Sequence, residues 1–594
     1  MINGCMFAHG LKRIWPYVCL LIVVILVSRA NLTPYTTFGH SAGLDATRLF
    51  ELDRGVRAGD LYPRWSSDMY FGYGSALLSL YAPLAYFVAE VFHLIGISMT
   101  WAIKLSYLMA TLLAAGGMFL LGRHEYETLT DNSPPYQRSI AGIVAATCYI
   151  LAPYFLVDLY VRAAVAELYG FGLIPWVIYF LAASQDGEDR RCLGAAAIAY
   201  GLLCFSHNIS ALLYSPAILG WILIRYPRKA WAKGGIVLAT GLAIGAFFWL
   251  PALVLKNAVQ SEVHLTTGYF SFDRHFIAFG DLFIPRWGYQ PPGGDIDIMS
   301  LQLGLAHWAL IIFGLAGTVL LRKRRIAPYL LMVLVSICFT QPFTRFAWQF
   351  IPLLKFVQFP WRFLMIATFA SSILVAFVCA AAKNRFGKWA FASCAALFLT
   401  ASIVQYLPYA KAKYLFLNTK PLSYQEVAPE DLADAMQNPE WVSFEQFMKV
   451  GNVLQAGITG MASDDFLPVA VSAKPQKPAE KALRIIEGSG KIGDVSLKFN
   501  ECAASVEAET PLTIVYETFY FPGWKARLNN KSHPTYVKAN DGTILLRLPP
   551  GKHDLKIYYG NDPIHTVADI ISLLGCIFAL GLILYPRRQR MLTE

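Results

Sequence analysis

The stretch GHSAGLDATRLFELDRGVRAGDLYPRWSSDMYFGYG (39–74) holds His40, Asp45, Arg48, Glu51, Asp53, Arg54, Arg57, Asp60, Arg64 and Asp68. A segment that only joined two elements would need none of them. Asp45 stands near the start of a short expected helix, with Arg48, Glu51 and Asp53 after it. A carboxylate held beside a bound substrate can take a proton from an acceptor hydroxyl. The plainer reading is a solvated interfacial helix with ordinary ion pairs.

Further polar groups stand at the ends of apolar runs. Arg162 and Glu167 occur in YVRAAVAELYG, His207 and Asn208 follow LLCFS, and Gln358 and Arg362 occur in FVQFPWRFL. Arginine suits planar recognition of phosphate. Ionisable groups at membrane depth are costly and turn toward a partner or a cavity. Arg162–Glu167 reads equally as a local ion pair, Arg362 as a side chain snorkelling to lipid phosphates, and His207 as a buried, hydrogen-bonded histidine between helices.

The elements that must position these groups are membrane spans. The 594 residues are 56% hydrophobic and 15% charged, with mean hydropathy +0.45. A soluble domain carries about 25% charged residues. Apolar runs such as 234–254 and 363–382 are near the ~20 residues that cross a bilayer. The net charge of +11 does not point to nucleic acid, because the basic residues fall in short clusters between apolar runs. These are Lys12-Arg13, Arg190-Arg191, Arg225 to Lys233, Arg322 to Arg325, Lys383 to Lys388 and Arg587 to Arg590. That is positive-inside patterning.

Spans are expected near 15–30, 101–121, 139–153, 168–183, 193–206, 211–225, 234–255, 303–321, 326–341, 363–382, 389–407 and 566–585. Twelve spans put both termini and every basic cluster in the cytoplasm. The first could instead be a cleaved signal peptide, since Lys12-Arg13, an apolar stretch and Ser28-Arg29-Ala30 run in that order; an uncleaved span is favoured. Residues 73–97 are apolar, but counting them as a span would put Arg322 to Arg325 outside. The segment also contains Pro83 and Glu90, and it is read as a helix lying along, or dipping into, the outer interface, with a true span as the alternative.

The expected domains are a transmembrane domain over 1–407, with its first outer loop at 31–100, and an extracytoplasmic domain over 408–565. A final span and basic tail follow at 566–594. Within 408–565, residues 420–450 read as mixed or helical. Alternating patterns at Asp494 to Phe499, Leu512 to Phe521, Thr543 to Leu548 and Asp554 to Tyr559 read as strands of an antiparallel sandwich, with Leu555, Ile557 and Tyr559 on one face.

No phosphate-binding glycine loop, dinucleotide fingerprint, G-x-S-x-G or H-E-x-x-H occurs. No nucleotide cofactor is expected and no metal spacing is seen, although a divalent ion stays possible. A substrate used outside the cytoplasm must then carry its own activation, as a lipid-linked phosphosugar does.

The run Asp45…Gly59-Asp60-Leu61-Tyr62-Pro63-Arg64-Trp65…Gly72-Tyr73-Gly74…Tyr81-Ala82-Pro83-Leu84 resembles bacterial "6-pyruvoyl-tetrahydropterin synthase-related" membrane proteins, grouped with the GT-C glycosyltransferases. Tyr160-Val161-Arg162…Glu167 and Gln358-Phe359-Pro360-Trp361-Arg362 look like the same family. Phe521-Pro522-Gly523-Trp524…Leu548-Pro549-Pro550-Gly551 is similar to the β-domain of YfhO-like membrane proteins.

The resemblance implies a polytopic GT-C-like α-helical fold with a C-terminal extracytoplasmic β-sandwich. It implies transfer of a sugar from a polyprenyl-phosphate donor to an extracytoplasmic glycan, lipid or protein, at the bacterial inner membrane. Asp45 matches the family's acidic residue. Arg362 and Arg162, with Arg64 third, match the groups that hold the lipid phosphate.

The chain also departs from the pattern. Ala46 replaces the second acid of the common Asp-Glu pair, and Ala46-Thr47-Arg48-Leu49 lacks a histidine that members often carry. Glu51-Leu52-Asp53 is therefore a second acidic candidate. The rival readings are a transporter or flippase of lipid-linked glycans, and a non-catalytic envelope assembly protein.

Overall fold

The structure is a computed structural model and describes residues 2–35, 37–186, 189–292, 298–321, 324–419, 422–427, 441–443 and 464–585. The chain opens with helix α1 (Ile2–Ser28), strand β1 (Thr37–Phe38) and helices α2 (Ala42–Arg57), α3 (Leu77–Leu80) and α4 (Leu84–Leu94). The bundle continues with α5 (Met99–Leu129), α6 (Pro135–Ile150), α7 (Pro153–Tyr160), α8 (Val165–Asp186), α9 (Arg190–Cys204), α10 (Asn208–Arg225) and α11 (Trp231–Leu255). After a short α12 (Ser261–Thr266) come α13 (Leu305–Leu321), α14 (Ala327–Phe339), α15 (Arg345–Phe350), α16 (Leu364–Phe386) and α17 (Lys388–Tyr406).

Each of the twelve expected windows falls on a helix. Among the described residues seven helices are long and apolar enough to cross a membrane, and nine if two bent pairs each count as one span. Those pairs are α6 with α7, bent by 53°, and Arg324–Phe339 with Pro342–Phe350, bent by 87°. The remaining windows fall on shorter pieces: Arg13–Ser28, Leu305–Thr318 and α9. At 1.5 Å per residue a fifteen-residue helix such as α9 is roughly 22 Å long, short of the ~30 Å hydrocarbon core.

Helix α16 is the centre of the bundle. Its apolar window is wholly buried, and it packs on α5, α6, α13, α14 and α17. Helices α5 and α6 cross closely at Gly142, where an added Cβ would lie 2.5 Å from the Phe119 carbonyl. Small residues permit such approaches between membrane helices.

Residues 73–97 do not form a single spanning helix. They break into α3 and α4, and α4 has eleven residues, about 16 Å of helix. Pro83 stands at the N-terminal cap of α4.

The C-terminal part is antiparallel throughout. Strand β1 pairs with β2 (Lys413–Thr419), which also pairs with β3 (Leu422–Val427) and β4 (Trp441–Ser443). The described parts of 420–450 are therefore strands, and the rest of that mixed or helical expectation lies outside the described residues. Next come β5 (Leu483–Glu487), β6 (Gly490–Lys498), β7 (Glu501–Ala508), β8 (Leu512–Phe519), β9 (Trp524–Leu528), β10 (Lys531–His533), β11 (Tyr536–Val537), β12 (Thr543–Leu548) and β13 (Gly551–Tyr559). They form two sheets, ordered β10-β9-β13-β7-β6 and β11-β12-β8-β5. Leu555 and Ile557 are buried between them, with Val506, Ile514 and Leu546, while Tyr559 is only partly buried. Helix α18 (Pro563–Leu584) follows and packs on α9 and α11.

Residues 65–73 are built into this β-domain. Trp65 stacks on Tyr559 at 5.8 Å and meets Trp524 edge-on at 5.7 Å. Asn500 donates to the Trp65 carbonyl at 3.1 Å, and the Phe519 amide donates to the Tyr73 carbonyl at 2.7 Å. The boundary expected between 31–100 and 408–565 is thus a shared core.

Gly74 has φ of +84°, and a Cβ there would lie 2.4 Å from Trp65 Nε1. Gly74→Ala is expected to cost about 2 kcal/mol or more through left-handed strain and overpacking. Thermal unfolding and limited proteolysis check this. The variant should melt earlier and release the β-domain at low protease, and an unchanged cleavage pattern would contradict the shared core.

Candidate active site

Helix α2 presents Asp45 and Arg48 from adjacent turns. Asp45 is 2% exposed. Its Oδ1 accepts from Tyr86 at 2.7 Å and from Arg48 at 3.3 Å, and its Oδ2 accepts from Tyr107 at 2.8 Å. Arg48 lies 3.8 Å over the Tyr81 ring. Burial outweighs Arg48 and the two phenols, and pushes the Asp45 carboxyl up to about 6. A carboxylate so placed can act as a base near neutral pH.

Tyr107 also reaches the Ala163 carbonyl at 2.6 Å. It has one proton and two acceptors. When Asp45 is ionised, the proton points to the carboxylate. When Asp45 is protonated, it donates to the Tyr107 oxygen and Tyr107 turns to Ala163. This phenol couples the state of Asp45 to the backbone beside Arg162. The His40 and Ser41 amides add two bonds to the Val161 and Arg162 carbonyls, at 3.1 and 3.0 Å.

Arg162 is the hub of a second buried cluster. It pairs with Asp158, one helical turn earlier on α7, and with Glu167 at 2.8 Å. Arg362 approaches Glu167 at 3.7 Å and donates to Gln358 at 2.8 Å and to the Val357 carbonyl at 2.9 Å. Tyr154 donates to Glu167 at 3.0 Å, and Arg162 lies 4.9 Å over the Trp361 ring. Asp158 and Glu167 are fully buried. Arg362 Nε and Trp361 Nε1 are buried with no hydrogen-bond partner among the described residues. Arg362 Nε faces Glu167 Oε2 across 3.7 Å, too far for a hydrogen bond, so both groups keep unmet hydrogen-bonding capacity.

The backbone is strained around this cluster. Ala163 and Gln358 take φ of +49° and +65°, which non-glycine residues seldom adopt. Such strain persists where surrounding contacts over-determine it, often at functional sites.

The structure therefore gathers Asp45, Arg162, Glu167, Gln358 and Arg362 at one end of the bundle. His207 joins them as the N-terminal cap of α10, taking the Ser210 amide on Nδ1, within electrostatic reach of Glu167, Arg362, Arg162 and Arg48. The basic groups Arg225 and Arg325 lie at the opposite end, on Glu125 at 3.0 Å and Asp186 at 2.9 Å.

Three candidates lie apart from this network. Arg64 pairs with Asp569 of α18 at 3.0 Å and lines a separate cleft. Glu51 is buried beside Asp68, and burial together with that second carboxylate raises it well above the usual range. Asp53 pairs with Arg57 at 2.5 Å and faces His93. Glu51 and Asp53 thus serve different neighbours and form no shared acidic pair, because residues two apart on a helix point to different faces.

Asp45 and the Arg162–Arg362 cluster are both buried and are joined only through Tyr107 and the backbone of residues 161–163 among the described contacts. The open cleft takes Arg64 and Asp60 of the first ionisable stretch. Asp158, Tyr86 and Tyr107 were not singled out from sequence. Asp158 carried a signal, an acid four residues before Arg162 in an apolar helix. The two tyrosines carried none. Among the described residues no group of three or more His, Cys, Asp or Glu side chains is placed to hold a metal ion.

The chain is similar over 257 residues, at 21% identity, to an uncharacterised protein of Lactococcus lactis subsp. cremoris (strain MG1363). The match spans 41% of this chain and 40% of that protein. Among solved structures it is similar to the arabinofuranosyltransferase AftD from Mycobacteria, with TM-score 0.42 and 16% identity, over 67% of this chain and 27% of that one. It is also similar to the apo oligosaccharyltransferase of Archaeoglobus fulgidus, with TM-score 0.40 and 15% identity, over 67% of this chain and 56% of that one. Likeness of that degree leaves the chemistry to the site. The sequence profile described as "6-pyruvoyl-tetrahydropterin synthase related domain; membrane protein" matches residues 78–412. That is more than half of the chain and includes Arg162 and Arg362, while Asp45 precedes it; the protein belongs to this membrane protein family.

Proposed function

We propose that this protein is a GT-C type membrane glycosyltransferase that moves a sugar from a polyprenyl-phosphate donor to an extracytoplasmic glycan, lipid or protein. The observation that carries this reading is the Asp45–Tyr107–Ala163 link, which sets a carboxylate of raised proton affinity beside a buried arginine cluster. The acceptor hydroxyl gives its proton to Asp45 as its oxygen bonds to the anomeric carbon. The bond from that carbon to the phosphate oxygen breaks, and the electron pair leaves with the polyprenyl phosphate. Arg362 and Arg162 stabilise the charge that develops there, and Glu167 holds Arg162 in place. The site lies at the outer face of the inner membrane, with both termini in the cytoplasm. Entry of substrate requires the closed network to open, and the strained turns at Ala163 and Gln358 are where the backbone yields.

The test is release of free polyprenyl phosphate from polyprenyl-phosphate-linked sugars by the purified protein in nanodiscs, supplied with envelope acceptors. Release should depend on acceptor and rise with pH through about 6 as Asp45 ionises. Passage of the intact donor across proteoliposomes without release would favour a flippase and overturn the proposal.

A further inference from the structure

Apart from the buried network, a cleft of about 480 Å³ opens between the first outer segment, α4, α11 and α18. Its chemistry is divided. Tyr62, Phe87 and Phe247 give it aromatic walls, and Asp60, Arg64 and Asp569 give it charge. Arg64 is the fixed member. It is 5% exposed, lies 4.6 Å over the Tyr62 ring and donates to the Phe247 carbonyl at 3.2 Å. Asp569 is the open member, with a side chain 46% exposed. Arg64 holds one of its oxygens at 3.0 Å, and the other has no donor among the described residues.

Asp569 has Thr566 and Ser572 one turn to either side, and beyond them the outward face is apolar. Leu573 and Ile577, one and two turns further along, are 61% and 57% exposed. A carboxylate on the lipid-facing side of a span is costly unless it meets a cation. Asp60, Asp562 and Asp569 against Arg64 and Lys525, whose Nζ donates to the Asn561 carbonyl at 2.8 Å, leave the cleft and its rim with a net negative charge, so it favours a cation over an anion. The apolar stripe below favours a ligand with an acyl chain.

We propose that this cleft binds the head group of an aminophospholipid, with the ammonium on Asp569 and Asp60, the phosphate toward Arg64 and a chain along Leu573 and Ile577. The site is distinct from the Asp45 network and does not rest on sugar transfer.

The experiment is native mass spectrometry of the full chain, exchanged into mixed micelles with equal phosphatidylethanolamine, phosphatidylglycerol and phosphatidylcholine. The wild type should retain phosphatidylethanolamine at least about fivefold over the other two. Asp569→Asn should bring the three to parity. Asp60→Asn, at an exposed loop position without an ion pair among the described residues, should lower the preference about two- to threefold and keep the fold even if Asp569→Asn does not. Equal retention of the three lipids by the wild type would overturn the proposal. So would a preference that survives Asp60→Asn and, where it folds, Asp569→Asn.

Discussion

Asp45→Asn is expected to reduce sugar transfer by about 10²- to 10⁴-fold, the range for loss of a general base, while the protein stays folded. Asparagine fills the same volume, its oxygen still accepts from Tyr86, and its amide can donate to the Tyr107 oxygen. Arg48 keeps the Tyr81 ring and the Tyr86 hydroxyl. The pH dependence separates this role from mere packing. The wild-type rate should rise through about pH 6, and residual activity in the variant should lack that limb.

Stability runs the other way. Folding raises the Asp45 carboxyl from 3.8 to about 6. Its contribution is fully present below the unfolded value and is lost as pH rises through the folded one. Asp45→Asn should therefore melt higher relative to wild type at pH 8 than at pH 5. Full activity with an unchanged acid limb would remove Asp45 from the chemistry.

Arg162→Met is expected to destabilise the protein by about 3–5 kcal/mol, the cost of leaving buried charge without its partner. Asp158 and Glu167 are fully buried and lean on this guanidinium. Arg362 lies 3.7 Å from Glu167, and no ion pair joins it to Asp158 among the described residues. Adding Asp158→Asn should recover part of the loss, because it removes the orphan charge. A double-mutant cycle on thermal or denaturant unfolding measures the coupling. A loss below about 1 kcal/mol, or no recovery in the pair, would mean that these groups do not depend on one another as drawn.

Much of the fold was legible because membrane helices must satisfy their own backbone, so apolar runs translate into helices with little ambiguity. Charge bias placed Arg225 and Arg325 at the end opposite Asp45, where they lie. Charge bias, Pro83 and Glu90 spoke against one span over 73–97, but its break into α3 and α4 was not read. That Arg162, Glu167 and Arg362 find partners follows from the cost of ionised groups flanked by apolar sequence.

Sidedness could not say which gap between helices each group enters, and so Arg64 was placed with the wrong partners. Its partner Asp569 is far away in sequence and sits inside an apolar run. Tyr86 and Tyr107 were invisible because phenols are common near membrane interfaces. Strand β1 was missed because two residues carry no period. The separation of Glu51 from Asp53 was legible in principle from helix geometry.

The seating of Trp65 in the sandwich has a consequence for biogenesis. Its contact with Asn500 joins positions 435 residues apart. At ~5–20 residues per second of translation, the tryptophan waits roughly 20 to 90 s for its partners to emerge. During that interval an apolar indole stands uncovered on the nascent chain, in need of a chaperone or the lipid surface, and a ribosome stalled before the sandwich leaves the early segment as a substrate for quality-control proteases.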